Sequence, residues 1–312
     1  MKTKIVTAYW MDVEGYPFQG SLPNRKTRYL GSLIGHCQGS NLPVICYTHE
    51  KSLKELTDIK NEYNLDNLEI KVLELNQIKY HDRISIIRDK NFNTETVNFG
   101  LDGRGPEIMW GKFDVLEREL DGFDRVYWVD AGLQHPGIFP WMYSKSYDPK
   151  YPDLNIPKNW WAHLDVFNFS KLIDSEIYTQ LDKICDNKIM FVCSYGPQIG
   201  YPFVQEGILE YPFESPYPVG GMFGGDVKIL KKYIDICWEF AEKILDKNIL
   251  CTEEVIMKPS YNLIPENERV TLIFNSFASG EHDDFHYRMW DEEKNPLKPF
   301  YMMWLDIKNF NI

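Results

Sequence analysis

Three short apolar runs alternate with two helical patterns between Lys4 and Leu75, and that order constrains the fold more than any other feature of the sequence. Lys4 to Trp10 is β-branched and aromatic, and a polar loop with glycine and proline follows from Met11 to Pro17. Asn24 is placed to cap a helix reaching about Gln38, with Tyr29, Leu30, Leu33 and Ile34 on one face and Gly39 as its stop. Leu42 to Thr48 is a second strand, and Ser52-Leu53-Lys54-Glu55 opens a second helix on a capping-box pattern. Leu68 to Leu75 alternates as a third strand. A βαβαβ order requires a parallel sheet with right-handed crossovers.

Beyond it, Lys79 to Gly105 is polar and irregular and reads as a long loop. From Pro106 the pattern turns helical, with Ile108, Met109, Phe113, Leu116 and Leu120 on one face and Gly122 after them. That helix leads into Asp124 to Leu133, where an apolar run ends abruptly in Asp130, Ala131 and Gly132. A carboxylate at the carboxyl end of a central strand lies where open α/β sheets bind ligands, and Gly132 lets the backbone turn close to one. Residues 134–218 are dense in proline, tyrosine and tryptophan and read as an insertion at the ligand face, with a helix near Ser170 to Ile184 and an apolar run from Lys188 to Ser194. Its Trp160-Trp161 pair either stacks on a sugar or packs beneath the loop.

Tyr217 to Asp226 carries Gly220, Gly221, Gly224 and Gly225 around Met222 and Phe223, then enters a helix from Val227 to about Asp246. Bare backbone at a helix N-terminus suits a bound anion, while Asp226 is equally a natural N-cap. Thr252 caps a short helix opening on Glu253 and Glu254, acids that the helix dipole alone favours there. Val270 to Phe274 is a last strand, followed by His282, Asp283, Asp284, His286 and Arg288.

The chain has 312 residues, a single-domain length, and a formal net charge of −12 from 46 acids against 34 bases, which argues against a nucleic-acid partner held through phosphates. Its six cysteines form no C-x-x-C pair and read as buried thiols of a reducing compartment. The N-terminus lacks the apolar core of a signal peptide, and no run is long enough to span a bilayer, so a cytoplasmic protein is expected, with peripheral membrane contact left open.

Three loops should converge on one crevice, bringing Asp130, Asp226, Glu253, Glu254, His282 and His286 together. Carboxylates with an imidazole suit Mn²⁺ or Mg²⁺ bridging a diphosphate, and such a cation neutralises the charge of a diphosphate leaving group.

The block order resembles a GT-A-fold glycosyltransferase: βαβαβ, a helix into an apolar strand ending in Asp-x-Gly, the Gly-Gly-Met-Phe-Gly-Gly block, then an acidic pair opening a helix. Lys-Ile-Val-Thr-Ala-Tyr-Trp and Tyr-Trp-Val-Asp-Ala-Gly are similar to the bacterial HtrL/YibB-like members. The Phe-Gly-Gly and Thr-Glu-Glu blocks are similar to the blood-group-type galactosyl and N-acetylgalactosaminyl transferases. The resemblance implies one α/β domain with a mostly parallel sheet flanked by helices: a nucleotide-binding half at 1–133, the insertion at 134–218 and an acceptor half at 219–312. It implies transfer of a sugar from a nucleotide-diphosphate donor, a UDP-sugar above all, to a glycan acceptor hydroxyl in surface polysaccharide synthesis.

By the same resemblance, Thr7, Ala8 and Tyr9 line the nucleotide site, and Asp130, with Ala131 and Gly132, meets the donor diphosphate or its metal. Gly221, Gly224, Gly225 and Asp226 border the donor sugar and acceptor, Glu253 or Glu254 is the acid nearest the reacting carbon, and His282 completes the metal shell. Gly132 stands where many such enzymes have a second Asp, which leaves Arg88, Arg104 or Lys112 as alternative phosphate partners. Whether the product inverts or retains is left open. Two other readings remain: a nucleotidyltransferase, for which Met11 to Gly20 makes a poor phosphate loop, and a carbohydrate- or protein-binding module whose catalysis has decayed.

Overall fold

The computed structural model describes residues 1–11, 25–91, 104–131, 175–194 and 217–274. The Asn24 cap, Gly132, the Trp160-Trp161 pair, His282 and His286 lie outside these residues.

The described chain forms β1 (Thr3–Tyr9), α1 (Arg25–Ser40), β2 (Val44–Thr48), α2 (Glu50–Glu62), β3 (Leu68–Val72), α3 (His81–Asn91), α4 (Gly105–Arg118) and β4 (Arg125–Val129). It continues through α5 (Ser175–Ile184), β5 (Ile189–Ser194), β6 (Tyr217–Asp226), α6 (Val227–Asp246), α7 (Glu253–Leu263) and β7 (Arg269–Phe274). The seven strands make one sheet in the order β3-β2-β1-β4-β6-β5-β7. β1, β2, β3 and β4 are mutually parallel, and β5 is parallel to β7. β6 runs antiparallel to both its neighbours. This is a mixed α/β architecture with a mostly parallel sheet.

Strands covered on both faces read as continuous apolar runs, and β2 and β4 are buried at every position. On one face Val6, Trp128 and Phe223 pack with Ile84 of α3, Phe113 and Leu116 of α4, Tyr233 and Trp238 of α6 and Val255 of α7. On the other, Ile5, Tyr9, Tyr127 and Met222 pack with Leu33 of α1, Leu56 of α2 and Tyr178 of α5. All six cysteines are buried free thiols, as the spacing suggested.

Two elements depart from the sequence reading. The expected loop from Lys79 to Gly105 contains α3. Its apolar residues do not form a stripe, since Ile84 and Ile87 are buried while Ile86 is 52% exposed, so periodicity gives no signal. The glycine-rich block Tyr217 to Asp226 is not a loop before a helix but strand β6, in the middle of the sheet. Gly224 and Gly225 take φ of +146° and +147°, and a Cβ on Gly224 would lie 2.3 Å from the Val126 carbonyl oxygen. Those two glycines are there because side chains do not fit between β4 and β5.

Candidate functional site

The ends of β6 decide which expected residues meet. In register, Val129 faces Met222 and the Asp130 N–H donates to the Gly221 carbonyl at 2.9 Å, whereas Arg125 faces Asp226. Asp226 and Asp130 therefore stand at opposite ends of the β4–β6 pair, five residues or about 17 Å apart along β4. Asp226 caps α6, its carboxylate accepting from the N–H groups of Lys228 and Ile229. The grouping of Gly224, Gly225 and Asp226 with Asp130 is thus corrected: sequence proximity to Gly221 is cancelled by an extended strand that carries them away.

A second correction concerns β1. Side chains alternate across a strand, and Ala8 shares its face with Val6 and Trp10, while Thr7 and Tyr9 point to the other. Ala8 extends the parallel register beside Asp130, two residues past the Val6–Trp128 pair. The Tyr9 hydroxyl instead lies 3.4 Å from Glu55 on α2. Of the three, only Ala8 borders the Asp130 face.

There Asp130 meets α4 and α7. The Trp128 indole N–H donates to Asp130 Oδ1 at 2.8 Å and to the Gly220 carbonyl at 3.0 Å. Lys112, buried at 4% exposure, donates to Glu253 Oε1 at 2.5 Å and to the Gly220 carbonyl at 2.9 Å, and lies 3.7 Å from Asp130 Oδ1. α4 is positioned for this by the buried Trp110, whose indole N–H donates 3.0 Å to the Cys251 carbonyl just before α7. A Cβ on Gly220 would meet Glu253 Oε1 at 2.2 Å and Lys112 Nζ at 2.6 Å, so a side chain there would displace the ends of both.

The electrostatics follow from this packing. Burial alone would lower the Lys112 pKa, but the Asp130 and Glu253 carboxylates outweigh it and the ammonium is held charged. Burial raises the Asp130 carboxyl and Glu253 adds to the rise, opposed by Lys112 and Trp128. Its side chain is 42% accessible, so water damps that shift. Burial, reinforced by the Glu253 carboxylate, pushes Glu254 from 4.5 up to about 7. Glu254 is therefore poised to exchange a proton near neutrality, while Glu253 is held in an ion pair with Lys112. Sequence spacing treats the two acids alike; only the lysine from α4 separates them.

Asp130 already accepts an indole N–H and faces an ammonium, and the described residues contain no group of three His, Cys, Asp or Glu able to hold a cation. His282 lies outside them, and Mn²⁺ or Mg²⁺ stays an expectation of the sequence.

Arg88 sits on α3, its Nη2 hydrogen-bonded to Glu107 of α4 rather than to the mouth around Asp130. Sequence reasoning missed Glu107, a fully buried acid on the polar side of a helical pattern.

Fold and site together define a mixed α/β protein with an acidic, lysine-bridged mouth at the carboxyl edge of its parallel strands. No protein-family model and no curated protein matches the chain. Solved structures do show likeness. Mouse xyloside xylosyltransferase 1, in its apo form, is 8% identical, with 88% of this chain and 86% of that chain covered and a TM-score of 0.48. A 4-diphosphocytidyl-2C-methyl-D-erythritol synthase from Anaerococcus prevotii DSM 20548 is 8% identical, with coverages of 91% and 93% and a TM-score of 0.38. A cytidylyltransferase from Leptospira borgpetersenii serovar Hardjo-bovis (strain JB197) is 12% identical, with coverages of 99% and 94% and the same score of 0.38. At these identities and scores we draw no chemistry from them.

Proposed function

We propose that this chain is a GT-A-type glycosyltransferase that moves a sugar from a nucleotide-diphosphate donor, a UDP-sugar, to a hydroxyl of a glycan acceptor. The observation that carries this reading is the Lys112–Glu253 pair facing Asp130 at the carboxyl ends of the parallel strands, where such sheets bind ligands, with the next acid of α7, Glu254, raised to about 7 by burial and by the Glu253 carboxylate. Glycosyl transfer needs a group that takes up one proton at neutral pH and fixed charges around the reacting carbon. Glu254 takes the acceptor hydroxyl proton as the new carbon–oxygen bond forms. The bond from the sugar carbon to the diphosphate breaks, and its electron pair leaves on the phosphate oxygen. Lys112 holds Glu253 in place, and Asp130 faces the donor side of the mouth.

The test is a hydrolysis and transfer screen across nucleotide sugars, with binding of the free nucleoside diphosphates measured alongside. One UDP-sugar should be turned over, and Asp130→Ala should lower turnover by about a hundredfold. Absence of any nucleotide binding would sink the reading.

A further inference from the structure

At the N-terminal end of α4 a second charged cluster has the opposite sign. Arg88 Nη2 donates to Glu107 Oε1, Arg104 Nε lies 3.1 Å from the same oxygen, and His81 Nδ1 lies 3.5 Å from it. Glu107 is fully buried, while the Arg88 and Arg104 side chains keep 13% and 27% of their surface. Two guanidiniums against one carboxylate leave an excess of one positive charge. Around Asp130 three carboxyl groups, of Asp130, Glu253 and Glu254, stand against the single Lys112 ammonium, leaving an excess of negative charge.

The two clusters share an edge. Ile108, next to Glu107, packs against the apolar cores on both faces of the sheet, which places this turn of α4 over the sheet's rim. Glu107 precedes Lys112 on α4 by five residues, about 7–8 Å of helix. The cationic cluster is also incompletely satisfied. Among the described residues, the buried Arg88 Nε has no hydrogen-bond acceptor and Glu107 Oε2 has no donor, while Arg104 Nε has only its ion pair with Glu107 Oε1. A buried guanidinium N–H without an acceptor is uncommon and marks a place for one. The first turn of this 14-residue helix adds its own partial positive charge.

We propose that Arg88 and Arg104, braced by Glu107, form the lip that binds a diphosphate, so that the phosphates lie there and not against Asp130. A diphosphate supplies several anionic acceptors in the planar geometry that guanidinium forks match, and the acid-rich mouth would repel it. The proposal rests on the glycosyltransferase reading for its ligand. It extends that reading by moving the phosphates to the lip, leaving the mouth for the reacting carbon and the acceptor hydroxyl, and by having guanidinium charge neutralise the leaving group.

Calorimetry with inorganic pyrophosphate, UDP and uridine, all in EDTA, tests it. Pyrophosphate and UDP should bind without a divalent cation and weaken as salt rises, and uridine alone should bind far less well. Arg88→Gln and Arg104→Gln should each weaken both diphosphates about tenfold or more. Arg104→Lys, which keeps the charge and loses the fork, should fall between, and a thermal melt of each variant shows that it is folded. If Arg88→Gln leaves Glu107 too exposed to fold, Arg88→Gln with Glu107→Gln restores neutrality, and the loss of pyrophosphate binding should persist. UDP binding more tightly than pyrophosphate assigns the lip to the sugar donor. Equal affinities keep the lip but assign it to another diphosphate, which removes the donor reading and not the site. Pyrophosphate binding that appears only with Mn²⁺, or that survives loss of both arginines, overturns the proposal, as does no binding at low salt.

Discussion

Replacing Lys112 by Met tests the organisation of the mouth most directly. The Lys112 and Glu253 side chains are 5% and 8% exposed and 2.5 Å apart, so they form a buried ion pair rather than a surface one. Removing one partner of such a pair leaves the other charge buried and uncompensated, which costs about 3–5 kcal/mol. Lys112 also donates to the Gly220 carbonyl and lies 3.7 Å from Asp130, so a carbonyl loses a donor and a second carboxylate loses a counter-charge. Lys112→Met should therefore lower unfolding free energy in urea by about 3–5 kcal/mol. The Lys112 pKa is raised in the folded state, so its contribution is fully present below the unfolded value near 10.5 and is lost as pH rises through the higher folded value. The difference between wild type and variant should accordingly stay constant from neutral pH to about 9 and shrink only in stronger alkali. Lys112→Met combined with Glu253→Leu should recover much of the loss, since a buried pair replaced by apolar groups is often neutral. A single-variant cost below about 1 kcal/mol, typical of an exposed pair, would refute the reasoning. So would a double variant no more stable than Lys112→Met.

Three further outcomes follow from the same contacts. Glu254 binds its proton more tightly folded than unfolded, so stability should fall as pH rises from about 4.5 to 7, and Glu254→Gln should gain on the order of 1–3 kcal/mol at pH 8, read by denaturant unfolding at both ends of that window. A gain that is the same at pH 4 would contradict the shift. Asp226→Ala should cost about 1 kcal/mol as a lost helix cap and leave nucleotide binding unchanged; weakened binding in a calorimeter would return Asp226 to the site. Gly224→Ala should cost on the order of 3 kcal/mol in thermal unfolding, from backbone strain and overlap with Val126 and Tyr127, and a change within ~0.5 kcal/mol would refute the close packing of Gly224 on β4.

The alternation of apolar runs and amphipathic patterns was enough to set βαβαβ and a parallel sheet, because strand and helix periods are local properties of the chain. The apolar run into Asp130 likewise places that carboxylate at a strand end from local pattern alone. Tertiary structure alone decided which acids share a mouth with it. Antiparallel pairing of β6 carries Asp226 to the far end of β4 while leaving Gly221 beside Asp130, and nothing within Tyr217 to Asp226 announces a strand when four of its residues are glycine. A lysine 141 positions away distinguishes Glu253 from Glu254, and Arg88 of α3 with Arg104, just before α4, pairs with Glu107. Charge pairing depends on distances between separate elements. Sequence periodicity records only the face each residue takes on its own element.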